Sequence, residues 1–208
     1  MDTQERNRVF TELMTSMELY DTSSDEPVIL SLSGLSDKSV REAVIAQACR
    51  QDDRWVMEFC MGLTRAYMNK LAQAHENEHK ADIGDDDLAG IGIAIYLSWL
   101  NGQVGAVMKL ITLIGMVLED IKETDAIGFL HRIFAPPPVA VCIKNAYLNL
   151  DSLKIINEAQ TNVFDDLMDY VGNLDMAQVR DLMKKEGYSM DNTSLKKPKF
   201  VDEMFDKE

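Results

Sequence analysis

Residues 85–120 read DDDLAGIGIAIYLSWLNGQVGAVMKLITLIGMVLED, and this stretch decides the fold class. Three aspartates precede an apolar run, where carboxylates satisfy the free amides of a helix start and complement its dipole. Between Leu88 and Leu118 the only charge is Lys109. A run this apolar raises the question of membrane insertion, but Asn101-Gly102-Gln103 breaks it. The arms of about 13 and 15 residues fall short of the roughly 20 that a spanning helix needs. Two helices folded back on each other and buried by neighbours account for the pattern, so no membrane partner is expected.

Outward from this hairpin, helical periodicity continues in both directions. Residues 2–20 open with Asp2 and Glu5 in capping-box spacing and place Val9, Phe10, Leu13, Met14 and Met17 on one face. Residues 21–36 are irregular. Ser36 is expected to cap a helix carrying Val40, Ala43, Val44 and Ala48, and Asp52-Asp53 to start another with Trp55, Phe59, Leu63, Tyr67 and Leu71 as its buried stripe. On the far side, Thr124 is expected to cap a short helix that ends before Pro136-Pro137-Pro138. Helices over 139–148, 151–171 and 175–186 follow, the last closed by Gly187. The expectation is an all-α chain of antiparallel helical hairpins, either tetratricopeptide-like or an irregular bundle. It forms one domain over 1–188: an N-terminal helix and loop (1–36), a hairpin core (37–148) and C-terminal helices (149–188). The polar segment 189–208, with Lys196-Lys197-Pro198-Lys199, reads as a mobile tail closed by a final turn at Phe200–Phe205.

A chain of 208 residues with 46% hydrophobic content can bury a core without disulfides or metal. The balance of 21 basic against 35 acidic residues gives −14, which argues against direct nucleic-acid binding, since phosphate neutralisation needs clustered Lys and Arg. Cys49, Cys60 and Cys142 are too few and too scattered for a disulfide framework. Together with an N-terminus that carries Asp2, Glu5, Arg6 and Arg8 in place of an apolar signal core, they point to a reducing, cytoplasmic setting.

Sliding the sequence on itself by 34 residues aligns Asp52, Asp86 and Asp120; Phe59, Ile93 and Ile127; Cys60, Ala94 and Gly128; and Ala72, Ala106 and Ala140. The chain therefore resembles tetratricopeptide helical hairpins, whose repeat has this period. In that arrangement small residues let paired helices approach while large ones fill the groove between hairpins. The unit with Ile93, Ala94, Leu97, Ala106 and Leu110 fits best, although Leu113 stands where a small residue is usual and no closing proline follows. A second resemblance spans roughly 35–145. Leu35-Ser36-Asp37, Val40-Arg41-Glu42-Ala43, Ala94 to Gly102, Ala106, Leu110, Asp120, Ala126, Leu130 and Pro136-Pro137 are similar to an uncharacterised domain family of actinobacteria and their phages. That likeness implies a phage or actinobacterial source and a helical fold, and brings no activity; the family's amino-terminal α/β portion is absent here.

Among motifs for chemistry, His75-Glu76-Asn77-Glu78-His79 satisfies H-E-x-x-H, in which two imidazoles one turn apart hold zinc and the glutamate activates the bound water. The polar interior pair and the six acids of 76–87 read instead as a solvated helix end. His131 reads as a partly buried side chain on the period of Ile127 and Phe134. Gly90-x-Gly92 lies within a helix and is no phosphate loop. Enzyme chemistry thus has little support, and no cofactor is expected. The leading expectation is a non-enzymatic, acidic helical interaction module, phage-encoded if the resemblance holds, that binds or inhibits a host or phage protein. Trp55, Tyr96, Trp99, Asp85, Asp86 and Asp87 are its candidate contacts, and self-association is a further version. The alternatives are a zinc-dependent hydrolase using His75, Glu76 and His79, and a DNA-mimicking inhibitor of a DNA-binding protein.

Overall fold

A computed structural model describes residues 34–51, 54, 56, 59, 83–120, 123–153, 167, 169–191 and 194–205. Over these residues the protein is all-α apart from one small hairpin. The elements are α1 (Lys38–Arg50), α2 (Asp85–Leu100), α3 (Val104–Asp120), α4 (Glu123–Ile133), α5 (Val139–Leu153), α6 (Met176–Lys185), β1 (Ser189–Asp191), β2 (Ser194–Lys196) and α7 (Lys199–Phe205). The expected 2–20 helix and the stripe from Leu63 to Leu71 lie outside the described residues. Of the expected 52–71 helix, Val56 and Phe59 are seen helical and buried.

The quoted stretch folds as read. α2 and α3 form a hairpin around Asn101 and Gly102, and Gly102 takes a φ of 71° that a side chain would disfavour. The Asn101 side chain caps the end of α2 by donating to the Leu97 carbonyl at 2.8 Å. No helix among the described residues is long and apolar enough to cross a membrane.

Helix α2 is the axis of the molecule. Eleven consecutive residues, Leu88 to Ser98, are buried, and α1, α3, α4 and α5 all pack against it. The Ile91-Gly92-Ile93-Ala94-Ile95 alternation has a strand-like period, yet the segment is helical. A strand would bury two faces only, whereas a helix enclosed on all sides buries Leu88, Ile91, Ile93, Ile95 and Leu97 together, at roughly 2 kcal/mol each. The small residues between them set how closely neighbours approach. A Cβ on Gly92 would stand 2.1 Å from the Ile133 carbonyl oxygen at the end of α4. Burial around the whole circumference belongs to the interior of a bundle. The 34-residue correspondence is also uneven in space: Phe59 and Ile93 are fully buried, but Ile127 is 52% exposed.

Other boundaries shift for local reasons. The cap of α1 is Asp37, one residue after the expected Ser36, because its carboxylate reaches the Ser39 and Val40 amides. Thr124 lies inside α4, which begins at Glu123. The helix expected to end near residue 148 runs on to Leu153. Helix α6 is closed by Gly187 at φ 82°, as read, and its cap is Asp175, whose carboxylate accepts from the Ala177 and Gln178 amides.

The largest correction concerns the expected mobile tail. Residues 189–196 form an antiparallel hairpin with Met190 opposite Leu195, and α7 packs on α1 with Phe200 and Val201 buried. Aromatic rings tie this unit to the core in sequence: Tyr96 meets Tyr188 edge-on at 5.5 Å, and Tyr188 meets Phe200 edge-on at 5.4 Å. Lys197 Nζ donates to the Cys49 carbonyl at 2.9 Å.

One buried polar atom lacks a partner among the described residues, the Ser98 hydroxyl. A buried, unpaired hydroxyl costs about 1–3 kcal/mol. Ser98→Ala is therefore expected to raise stability by about 1 kcal/mol in urea unfolding, and a net loss would contradict this.

Candidate functional site

The three aspartates at the start of α2 each have a structural task. Asp87 reaches back to accept from the Gly84 amide at 2.9 Å, which fixes the helix entry. Asp86 accepts from the Gly34 amide at 2.6 Å and the Ser36 amide at 2.8 Å, and so fastens the turn before α1 to α2. Arg41 secures the same turn from the other side by donating to the Leu35 and Ser36 carbonyls at 3.2 and 2.6 Å. Asp85 points outward and pairs with Arg132 of α4 at 2.8 Å, while Arg132 Nε holds the Gly128 carbonyl at 3.1 Å.

Partial burial pushes the Asp86 carboxyl up, but hydrogen bonds from the Ser36 side chain and the Ser36 and Gly34 amides outweigh it and leave the group below its ordinary value. A carboxyl depressed in the folded state stabilises above its free pKa, near 4, and the contribution fades as pH falls through the lower folded value. Asp86→Asn is accordingly expected to cost about 1 kcal/mol at neutral pH, a figure discounted for partial exposure, and to flatten the acid limb of the stability profile. Thermal melts between pH 3 and pH 7 would check this; an unchanged acid limb would refute it.

Of the other sequence candidates, Tyr96 is 1% exposed, and its hydroxyl donates to the Lys196 carbonyl at 3.4 Å. It is a core residue with no face for a partner, a correction to its reading as a contact. Trp99 is half-buried and packs on the core. Trp55, His75, Glu76 and His79 lie outside the described residues. Cys49 and Cys142 are buried free thiols, and burial pushes Cys49 up to about 11.

Among the described residues Ile127, Leu182 and Met204 are exposed large apolar side chains, and Ile127, on the outer side of α4, is the most exposed of them. Ile127, His131 and Phe134 follow one another at helical spacing, and Tyr170 covers the last two. His131 Nδ1 and the Tyr170 hydroxyl share a hydrogen bond at 3.1 Å, while the Phe134 and Tyr170 rings stack at 5.4 Å and 7°. His131 is exposed, contrary to the expectation of partial burial. Next to this ridge, Arg132 joins α4 to Asp85, so one edge of the molecule carries an exposed isoleucine, an aromatic pair and a charged pair. Sequence periodicity placed Ile127 and His131 on one face, but assigned that face inward. The contact of Tyr170 with α4 spans 39 residues and had no local signal.

Comparison of the chain with protein-family models, with curated proteins and with solved structures finds no match.

Proposed function

We propose that the chain is a non-enzymatic protein–protein interaction module and that the α4 ridge of Ile127, His131, Phe134 and Tyr170 is its recognition surface. The observation that carries this reading is Ile127, a large aliphatic side chain 52% exposed beside an ordered aromatic pair. Interfaces gather such anchors at their centre and surround them with polar pairs, here Arg132 and Asp85. The tyrosine–histidine bond and the stacked rings hold the ridge in one arrangement before binding, which lowers the entropy lost on association. The 35–145 resemblance implies a phage or actinobacterial source, and for a chain from such a source the proposed partner is a host or phage protein. The net charge of −14 favours a protein over a nucleic acid.

The test compares wild-type chain with Ile127→Asp as immobilised bait against lysate of the source cell. The side chain is exposed, so the variant's thermal melt is expected to match wild type within a few degrees. A protein retained by wild type and reduced at least roughly tenfold by Ile127→Asp supports the reading. Equal retention by both, or none by wild type, contradicts it.

A further inference from the structure

We propose that Lys38, Glu42 and Glu186 form a proton-sensitive clasp, which holds the C-terminal unit, residues 186–205, more firmly on α1 as pH falls from neutral towards the ordinary carboxyl range. The clasp is independent of the α4 ridge. Lys38 is the first residue of α1, and Glu42 lies one turn along the same helix. A cation at a helix start is opposed by the dipole, so α1 alone gives Lys38 little reason to be there. Glu186 comes from the other side, at the end of α6. One ammonium serves both acids: Lys38 Nζ stands 3.6 Å from Glu42 and 3.7 Å from Glu186.

Two carboxylates on one ammonium leave a negative charge in excess. Both are largely covered, with 21% of each side chain exposed, so water and salt screen them poorly. The neighbouring cations are committed elsewhere or solvated. Arg41 donates to the Leu35 and Ser36 carbonyls, and Lys197 to the Cys49 carbonyl. Lys184 and Lys185 of α6 are exposed, as are Lys199, Asp202 and Glu203 of α7. From α2, Asp86 is taken up by the Gly34 and Ser36 amides. Tyr188 supplies no countercharge: burial, then Glu42 and Glu186, push its hydroxyl's ionisation up.

Burial pushes the Glu42 carboxyl above its ordinary value; Lys38 opposes this and Glu186 adds to it. A carboxyl raised in the attached state weakens attachment while ionised, and a bound proton removes that cost. Attachment therefore strengthens as pH falls through the raised value, and gains nothing more below the free value of about 4. The unit that responds is small. β1 and β2 have three residues each and α7 has seven, lengths that do not persist alone in water. They stay in place through the packing of α7 on α1, the contacts of Tyr188 with Tyr96 and Phe200, Lys197 and the clasp.

Amide exchange of the full chain at Tyr188 and Lys199, whose N–H groups bond the Met183 and Gly187 carbonyls, reads the attachment. Protection factors at pH 5 and pH 7, which remove the pH dependence of intrinsic exchange, are taken relative to Leu88–Ser98. In wild type they are expected to be about threefold higher at pH 5. Glu42→Gln should abolish that difference and raise protection at pH 7. Lys38→Met should lower protection at pH 7 by about threefold, with the loss shrinking at pH 5 as the acids take up protons. Equal pH dependence in wild type and Glu42→Gln, higher wild-type protection at pH 7 than at pH 5, or no change in Lys38→Met would overturn the proposal.

Discussion

Gly92→Ala is expected to destabilise the protein by about 3 kcal/mol, despite placing the best helix former in a helix interior. On propensity alone the change would stabilise by about 1 kcal/mol. Packing reverses the sign. The added Cβ would stand 2.1 Å from the Ile133 carbonyl oxygen and 3.3 Å from the Pro136 ring. The first obstacle is backbone, held by the end of α4 and the proline turn, so no side chain can rotate out of the way. Helices α2 and α4 would have to separate, and the packing between them would loosen over several residues. For a chain of this length the loss corresponds to a fall in melting temperature of roughly 10 °C. Gly105, with open space around its Cβ position, supplies the control: Gly105→Ala, on the exposed side of α3, should raise stability slightly. A neutral Gly92→Ala would mean that α4 does not approach α2 as described.

Tyr96→Ala is expected to cost about 4 kcal/mol, and Tyr96→Phe less than about 1 kcal/mol. The ring sits at the junction of α2 and the C-terminal unit, where it meets Tyr188 edge-on. Its removal leaves a cavity at the point where residues 188–201 attach, so the loss should spread to that unit. The hydroxyl contributes one long bond to the Lys196 carbonyl at 3.4 Å, which is weak by its length. Burial pushes the hydroxyl's ionisation far up, with smaller contributions from Tyr188, Cys49 and Cys142, so the side chain stays neutral across the physiological range. Urea unfolding of both variants checks the pair. Equal losses would show that the hydroxyl, not the ring, carries the attachment.

The α2–α3 hairpin was legible because its signals are local and agree with one another: aspartates at the start, an apolar run, and Asn101-Gly102 at the turn. α6 was legible for the same reason, with Gly187 marking its end. The C-terminal hairpin was missed because charge and polarity masked a weaker pattern. Tyr188, Met190 and Leu195 alternate with polar residues around Asp191-Asn192, a hairpin signature that the neighbouring lysines obscured. For the candidate site, sequence supplied the right face of α4 with the wrong orientation. A helix shows its apolar stripe in sequence, but which neighbours cover that stripe depends on contacts between distant segments, such as Tyr170 with His131. Asp85, Asp86 and Asp87 read in the sequence as helix-start carboxylates and candidate partner contacts; the structure shows Asp86 acting as an anchor for a turn 50 residues away.

These observations describe a molecule whose enclosed central helix carries its outer surfaces at fixed positions. The α4 ridge depends on α2 through Gly92, and the C-terminal unit depends on it through Tyr96. Residue-resolved hydrogen exchange of the full chain under native conditions tests this most directly. The account predicts the slowest exchange at Leu88–Ser98, and protection at Tyr188 and Val201 well above that of an unstructured segment. Fast exchange across Leu88–Ser98, or exchange from Tyr188 to Val201 at the rate of a free peptide, would contradict it.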